Sequence, residues 1–231
     1  GLGEALAAAM LSRGFAVIGV GRTASAKLSG KFFHHAPCDL AQPALIAAAV
    51  TPALRVLAAG KPASVTLVNN AAVASPTGLV GNLDAAEIES ALLTNAAAPL
   101  VMADLFCRCF PDDAIERRII NISSGAAQTA LAGSAVYSMS KAALEMLTRS
   151  IAAERATPNF RCISLRPGIF ETGMQAYMRS RDPAEFPSVG LFRGFKENGL
   201  LREPAEVAAL IVDRLVLGPV DNGRTYSHTD L

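Results

Sequence analysis

The sequence predicts a doubly wound α/β fold of Rossmann type, a parallel sheet flanked by helices on both faces. Short apolar runs alternate with longer helix-patterned stretches along the whole chain, and several runs stop at Gly, Asn or Pro, residues that turn a chain at strand ends. With 51% hydrophobic and 18% charged residues among 231, the composition fills the core of one domain spanning 1–231.

The elements follow in order. Leu2, Leu6, Met10 and Leu11 have helical spacing over residues 2–13, and 15–20 is an apolar run ended by Gly21-Arg22, so a helix is followed by a strand. Residues 32–36 read as a second strand, 45–57 as an Ala-rich helix interrupted near Pro52, and 64–68 as a strand stopped by Asn69-Asn70. A long helix is expected over 83–110, a buried strand over 118–122, a helix over 135–154 and a strand over 161–165 closed by Pro167-Gly168. A helix over 203–217 and a short strand over 224–227 complete the series. The one long irregular stretch, 174–202, follows the carboxyl end of a strand, where such sheets bind ligands, and reads as a substrate lid.

Several function classes lose ground at once. A net charge of +1 gives no broad basic field, so neither a nucleic-acid nor an anionic-membrane partner is expected. Cys38, Cys107, Cys109 and Cys162 form no CxxC pair, which argues against a metal site and a disulfide framework and suits a reducing cytoplasm. The apolar run 44–54 contains Thr51 and Pro52, and 208–220 is broken by Asp213 and Arg214, so no membrane span is expected.

The chemistry concentrates around Tyr137 and Lys141, which stand at i and i+4 on one helix face. Alone, such a pair is an ordinary surface feature. Ser124 changes its weight, because it ends the strand-like run 119–123 at the position where α/β sheets expose reactive side chains. A phenol with a pKa near 10 is a poor general acid or base until a neighbouring cation favours its phenolate, and Lys141 is that cation. Ser124 Oγ can orient a carbonyl while Tyr137 protonates the alkoxide as it forms.

With this Ser and YxxxK spacing the chain resembles the short-chain dehydrogenase/reductase family. The resemblance extends over essentially the whole sequence: Gly1-Leu2-Gly3 matches the end of the family's glycine-rich turn, Asp39-Leu40 follows the next strand but one, and Asn69-Asn70-Ala71-Ala72 follows the strand after that. Asn95 and Pro167-Gly168-Ile169 with Thr172 complete the series. Residues 121–127 and 167–175 look most like the benzil reductases and the related sepiapterin reductases.

The resemblance implies catalytic roles for Ser124, Tyr137, Lys141 and Asn95, the last holding a water that relays protons to Lys141. It implies cofactor contacts from Gly1, Leu2, Gly3, Arg22, Thr23, Asp39, Leu40, Asn70, Ala71, Ala72, Pro167, Gly168, Ile169 and Thr172, with Tyr137 and Lys141 at the nicotinamide ribose. The run 15–20 ends in Gly21-Arg22-Thr23, with no acid to repel a 2′-phosphate and a guanidinium to bind one, which favours NADP(H). The expected activity is NADPH-dependent reduction of a ketone or diketone. A 3-oxoacyl reductase, an alcohol dehydrogenase and a non-catalytic dinucleotide-binding protein are the alternatives. A homodimer or homotetramer on the helices 83–110 and 135–154 is also implied.

Phe186, Leu191, Phe192 and Phe195, with Met174, Tyr177 and Met178 nearby, either pack the lid or line a pocket for a bulky apolar carbonyl. Arg179, Arg181 and Arg193 leave an acidic carrier open as a partner. Departures from the family are equally specific. The sequence enters at the last Gly-x-Gly, so a central first strand ahead of it is expected to be missing, and Ala72 stands where the family commonly has Gly. Ser227 occupies the place of the Asp that anchors a pterin, and although Asp230 is near in sequence, pterin reduction is disfavoured.

Overall fold

The computed structural model describes residues 1–111 and 113–231. Among the described residues six strands, β1 (Val17–Gly21), β2 (Phe33–Pro37), β3 (Ser64–Asn69), β4 (Glu116–Ile122), β5 (Phe160–Arg166) and β6 (Thr225–Ser227), pair in parallel. Between them run α1 (Leu2–Ser12), α2 (Pro43–Ala59), α3 (Ala85–Leu92), α4 (Ala98–Cys109), α5 (Ala135–Glu154), α6 (Gly173–Arg179), α7 (Val189–Glu197) and α8 (Pro204–Ile211). This is the Rossmann-type α/β architecture expected from the alternation of strand and helix patterns.

Period-two alternation along the central strands builds two cores. On one face Ile119, Phe160 and Cys162 meet Ile46 and Val50 of α2 and Phe106 of α4. On the other, Ile120, Ile122, Ile163 and Leu165 meet Leu6 of α1 and Ile211 of α8. With apolar side chains on both faces, β4 and β5 have no solvent side, which is why their sequences read as continuous apolar runs.

The sheet is in two parts, β1-β2 and β3-β4-β5-β6. Between β1 and β3 lies a cavity of about 670 Å³ lined by Val17 and Val20 on one side, Val65 and Leu67 on the other, and Leu6 of α1 and Phe106 of α4 above and below. The facing edges of β1 and β3 do not pair with each other. A parallel strand laid in this slot would meet both edges and both cores, and the slot lies where the sequence reading put the strand expected ahead of the glycine turn.

Two expectations need correcting, and two expected helices are found with a π-turn in each. The interruption expected at Pro52 does not occur, because α2 runs through it. The carbonyl deprived of a partner, that of Ala48, lies beside exposed side chains where water can serve it, and Thr51 Oγ1 bonds the neighbouring Ala47 carbonyl at 2.6 Å. The expected helix 83–110 is a continuous helical stretch that widens into a π-turn at Leu93–Ala97, and the last helix ends in another at Val212–Val216. The stretch 174–202 is not irregular. It contains α6, capped by Thr172 Oγ1 accepting from Gln175 N, and α7, whose Val189 and Phe192 are buried.

The helical segment Ala85–Cys109 is long and apolar enough to cross a membrane by length and composition, but half of it is buried in the fold. Its burial against the sheet and α2 identifies it as a core helix here.

Gly133 fixes how α6 and α7 sit on the body. Its φ is +84°, and a Cβ there would fall 2.6 Å from Cδ2 of the fully buried Phe186. Gly133→Ala is therefore expected to destabilise the protein by about 2 kcal/mol through backbone strain and overpacking, measured as a lower midpoint in urea. An unchanged midpoint would show that Phe186 can move aside at no cost.

Candidate active site

The carboxyl ends of β4 and β5 and the first half of α5 converge on one polar cluster in an apolar surround. Ser124 follows the end of β4 in extended conformation, φ −157° and ψ 157°, and its Oγ accepts from Ala126 N at 3.2 Å. Tyr137 and Lys141 stand one turn apart near the start of α5, with Lys141 Nζ 5.7 Å from the Tyr137 ring centroid. Lys141 is buried and donates to the Ile122 carbonyl at 2.7 Å, two residues before Ser124. The three residues singled out in the sequence are thus neighbours.

Their environment sets their protonation. Burial pushes the Tyr137 phenol above its ordinary value of 10, while a hydrogen bond with Ser124 pulls in the opposite direction. Burial brings Lys141 down from 10.5 to about 8. At neutral pH the set therefore holds a protonated phenol beside a charged but weakly held ammonium.

Asn95 joins the cluster through its side chain. In the π-turn, its Oδ1 accepts from Val73 N at 2.8 Å and its Nδ2 donates to the Val73 carbonyl at 2.8 Å and to Ser140 Oγ at 3.1 Å. Ser140 Oγ in turn donates to the Tyr137 carbonyl at 2.7 Å. Asn95 thus pins the loop after β3 to the helix turn that carries Tyr137 and Lys141, with its amide fully engaged.

Sequence reasoning gave no site role to the polar residues behind this cluster. Asn69 Nδ2 donates to Asn121 Oδ1 at 2.8 Å, Asn121 Nδ2 donates to Thr148 Oγ1 at 2.8 Å, and Thr148 Oγ1 lies 2.6 Å from Ser164 Oγ. All four are buried and tie β3, β4, α5 and β5 together. A second connection runs from Ser123 to Glu145 to Arg166. The available signal was a polar side chain inside an apolar strand pattern, as at Asn121 and Ser164.

The residues read as cofactor contacts form a rim beside this cluster. Gly3, Thr23, Leu40, Asn70 and Ala71 line the mouth and wall of the slot between β1 and β3. Gly1 caps α1 with no side-chain hydrogen bond, leaving the first N–H groups of the helix open to an anion. A Cβ at Gly3 would lie 2.6 Å from Asn70 Nδ2, so a larger residue there would push the Asn70 side chain aside. Glu4, in the same first turn, is drawn away by Ser25 Oγ and Lys27 Nζ, at 2.5 Å and 3.4 Å, and these contacts hold its carboxyl below the usual range. Arg22 is exposed at the end of β1 with no hydrogen-bond or ion-pair partner among the described residues.

Asp39 Oδ1 accepts from Ala41 N at 3.0 Å, turning the chain into α2. On the far side Pro167 is buried, Gly168 has φ +82° and lies against the His228 side chain, and Ile169 and Ala72 are half-buried. The helix start at Gly1 and the exposed Arg22 guanidinium are groups that can meet the phosphates of a dinucleotide.

Above the cluster, Met174, Tyr177 and Leu131 pack with Tyr137 against a core of Met178, Phe186, Val189 and Phe192. Phe186 and Phe192 are packing residues, with ring centroids 5.6 Å apart, whereas Leu191 faces solvent. Tyr177 Oη lies 3.3 Å from Thr77 Oγ1. The three arginines of this segment have partners in or just before it: Arg179 with Glu171, Arg181 with Glu185, and Arg193 with the carbonyls of Arg179 and Arg181.

Comparison with known proteins gives a consistent picture. A family model described as short chain dehydrogenase matches residues 1–183. A benzil reductase ((S)-benzoin forming) of Bacillus subtilis is 31% identical over 228 residues, covering 98% of this chain and 93% of that protein. A sepiapterin reductase of Meriones unguiculatus is 33% identical over 122 residues, covering 51% of this chain and 46% of that protein. Among solved structures, the KRED1-Pglu enzyme superposes with a TM-score of 0.82 at 25% identity, covering 97% of this chain and 95% of the other.

Proposed function

Since the chain belongs to the short-chain dehydrogenase family, we propose that it is an NADP(H)-dependent reductase that converts a bulky, apolar ketone or diketone to the hydroxy compound. The observation that carries the reading is the juxtaposition of Ser124, Tyr137 and Lys141 under an apolar roof, in a chain similar along almost its whole length to a benzil reductase.

In this reading Gly1, Leu2 and Gly3 hold the pyrophosphate, Arg22 and Thr23 the 2′-phosphate, and Asp39 and Leu40 flank the adenine. Asn70, Ala71 and Ala72 border the adjoining ribose, and Pro167, Gly168, Ile169 and Thr172 support the nicotinamide end. When bound, the cofactor supplies the hydride. Ser124 Oγ donates to the substrate carbonyl and fixes its orientation. Tyr137 Oη gives its proton to the alkoxide oxygen, and the Lys141 ammonium stabilises the phenolate left behind. Asn95 holds the proton-relay end of the set in place against Val73 and Ser140.

The segment 174–202 acts as the substrate lid. Met174 and Tyr177, which pack on the same apolar core as Tyr137, favour an aromatic or branched carbonyl over a charged sugar. The pairing of Arg179 with Glu171 and of Arg181 with Glu185 weakens the attraction for an acidic carrier protein. The enzyme works in the cytoplasm as one catalytic domain per chain, with the helical faces around Leu100 and Met146 available for oligomerisation.

The test is oxidation of NADPH and NADH with benzil, sepiapterin and an acetoacetyl thioester side by side, on wild type and Arg22→Ala. Benzil turnover with a higher kcat/KM for NADPH is expected, and Arg22→Ala should raise the KM for NADPH about tenfold while sparing NADH. Turnover of the thioester alone would replace the reading with a 3-oxoacyl reductase. An unchanged KM for NADPH in Arg22→Ala would remove Arg22 from the cofactor site.

A further inference from the structure

We propose that Glu145 is a positioning residue that aligns the proton-donating set with the turn supporting the nicotinamide, an inference that rests on the reductase reading above. Glu145 lies on α5 one turn beyond Lys141. Its Oε1 accepts from Ser123 Oγ at 2.7 Å and from Arg166 Nε at 2.8 Å, and its Oε2 accepts from Arg166 Nη2 at 2.6 Å. The pair is largely shielded, with side-chain exposures of 12% for Glu145 and 19% for Arg166. One carboxylate thus joins three segments where their chemistry begins: α5 below Tyr137 and Lys141, the residue that follows β4 and precedes Ser124, and the last residue of β5, just before Pro167-Gly168.

The geometry explains why this grip reaches the reacting atoms. Ser123 is joined to Ser124 by one peptide, so fixing the Ser123 side chain on Glu145 fixes the backbone from which Ser124 reaches Tyr137 on the same helix. The same peptide segment is held by Ser123 N donating to the Leu165 carbonyl at 2.7 Å and by Lys141 Nζ on the Ile122 carbonyl. Arg166 fastens the end of β5 to the same carboxylate through two parallel hydrogen bonds, the strong and directional form of this pair. Neither Glu145 nor Arg166 touches the proposed substrate position, so the effect is on alignment, to which rates are steeply sensitive.

The experiment is a double-mutant cycle with Ser123→Ala and Glu145→Ala on the full chain, measuring kcat and KM for the carbonyl, the Kd for NADPH and the melting temperature. Ser123→Ala should lower kcat about fivefold and Glu145→Ala about thirtyfold, with carbonyl KM and NADPH Kd within about twofold of wild type. The double variant should be no slower than Glu145→Ala, because both changes break one connection. Wild-type kcat in Ser123→Ala, or a loss in the double variant equal to the product of the single losses, overturns the proposal while leaving the reductase reading intact. No carbonyl turnover by wild type overturns both. If Glu145→Ala does not fold, the kcat of Ser123→Ala decides alone.

Discussion

Tyr137→Phe is expected to lower kcat for carbonyl reduction about 10³-fold while the Kd for NADPH stays within about twofold of wild type. The substitution removes one oxygen. That oxygen belongs to a phenol kept protonated by burial and hydrogen-bonded to Ser124, so it is placed to deliver a proton where negative charge develops. The ring remains packed on the apolar core built around Phe186 and Phe192, and Lys141 keeps its bond to Ile122, so neither roof nor floor of the site is lost. Residual turnover comes from binding and orientation alone. Fluorescence titration of NADPH and single-turnover kinetics on the same sample separate the two effects. If kcat falls less than tenfold, another group or solvent supplies the proton, and if turnover and binding fall together, the change has disturbed the fold instead of the chemistry.

The parts legible in the sequence are those encoded locally. The helix Ala135–Glu154 was readable to the residue because its apolar spacing is unbroken, and β1, β3, β4 and β5 because each centres on an apolar run closed by a turn residue or a short polar segment, whereas β2 and β6 carry little apolar signal of their own. Ser124, Tyr137 and Lys141 were readable because their spacing is local and their chemistry is specific. The π-turn around Asn95 was not, since it inserts no unusual residue and arises when the Asn95 amide is pulled to Val73 and Ser140. The helix Val189–Glu197 left a signal, Val189 and Phe192 three apart, obscured by Gly190 and Gly194 within and Pro187 just before it. Glu145 and Arg166 were beyond reach, because a contact between residues on different elements has no period. The slot between β1 and β3 follows from the pairing of strands, which a one-dimensional pattern does not specify.

Lys141→Met should do two opposite things, and their pH dependence identifies the cause. Burial lowers the Lys141 pKa from 10.5 to about 8, so the folded state binds this proton more weakly than the unfolded state. The unfolded chain therefore holds more protons between about pH 8 and 10.5, and the stability of wild type rises with pH across that window. Below pH 8 the full penalty of a buried ammonium is present, of order 3 kcal/mol from the size of the shift. Methionine removes that penalty but leaves the Ile122 carbonyl without its donor, which costs about 1 kcal/mol or more. At pH 7 the variant should thus melt a few degrees above wild type, and the advantage should vanish by about pH 10.5. Activity responds with the other sign: the variant loses the cation that stabilises the Tyr137 phenolate and should be about 10³-fold slower, and wild-type kcat/KM for NADPH should decline as pH rises through about 8. Melting curves of both proteins at successive pH values decide the matter. Parallel curves would mean that Lys141 carries no burial penalty, whereas curves that converge with rising pH show a site held at the expense of stability in order to keep a charge beside the phenol.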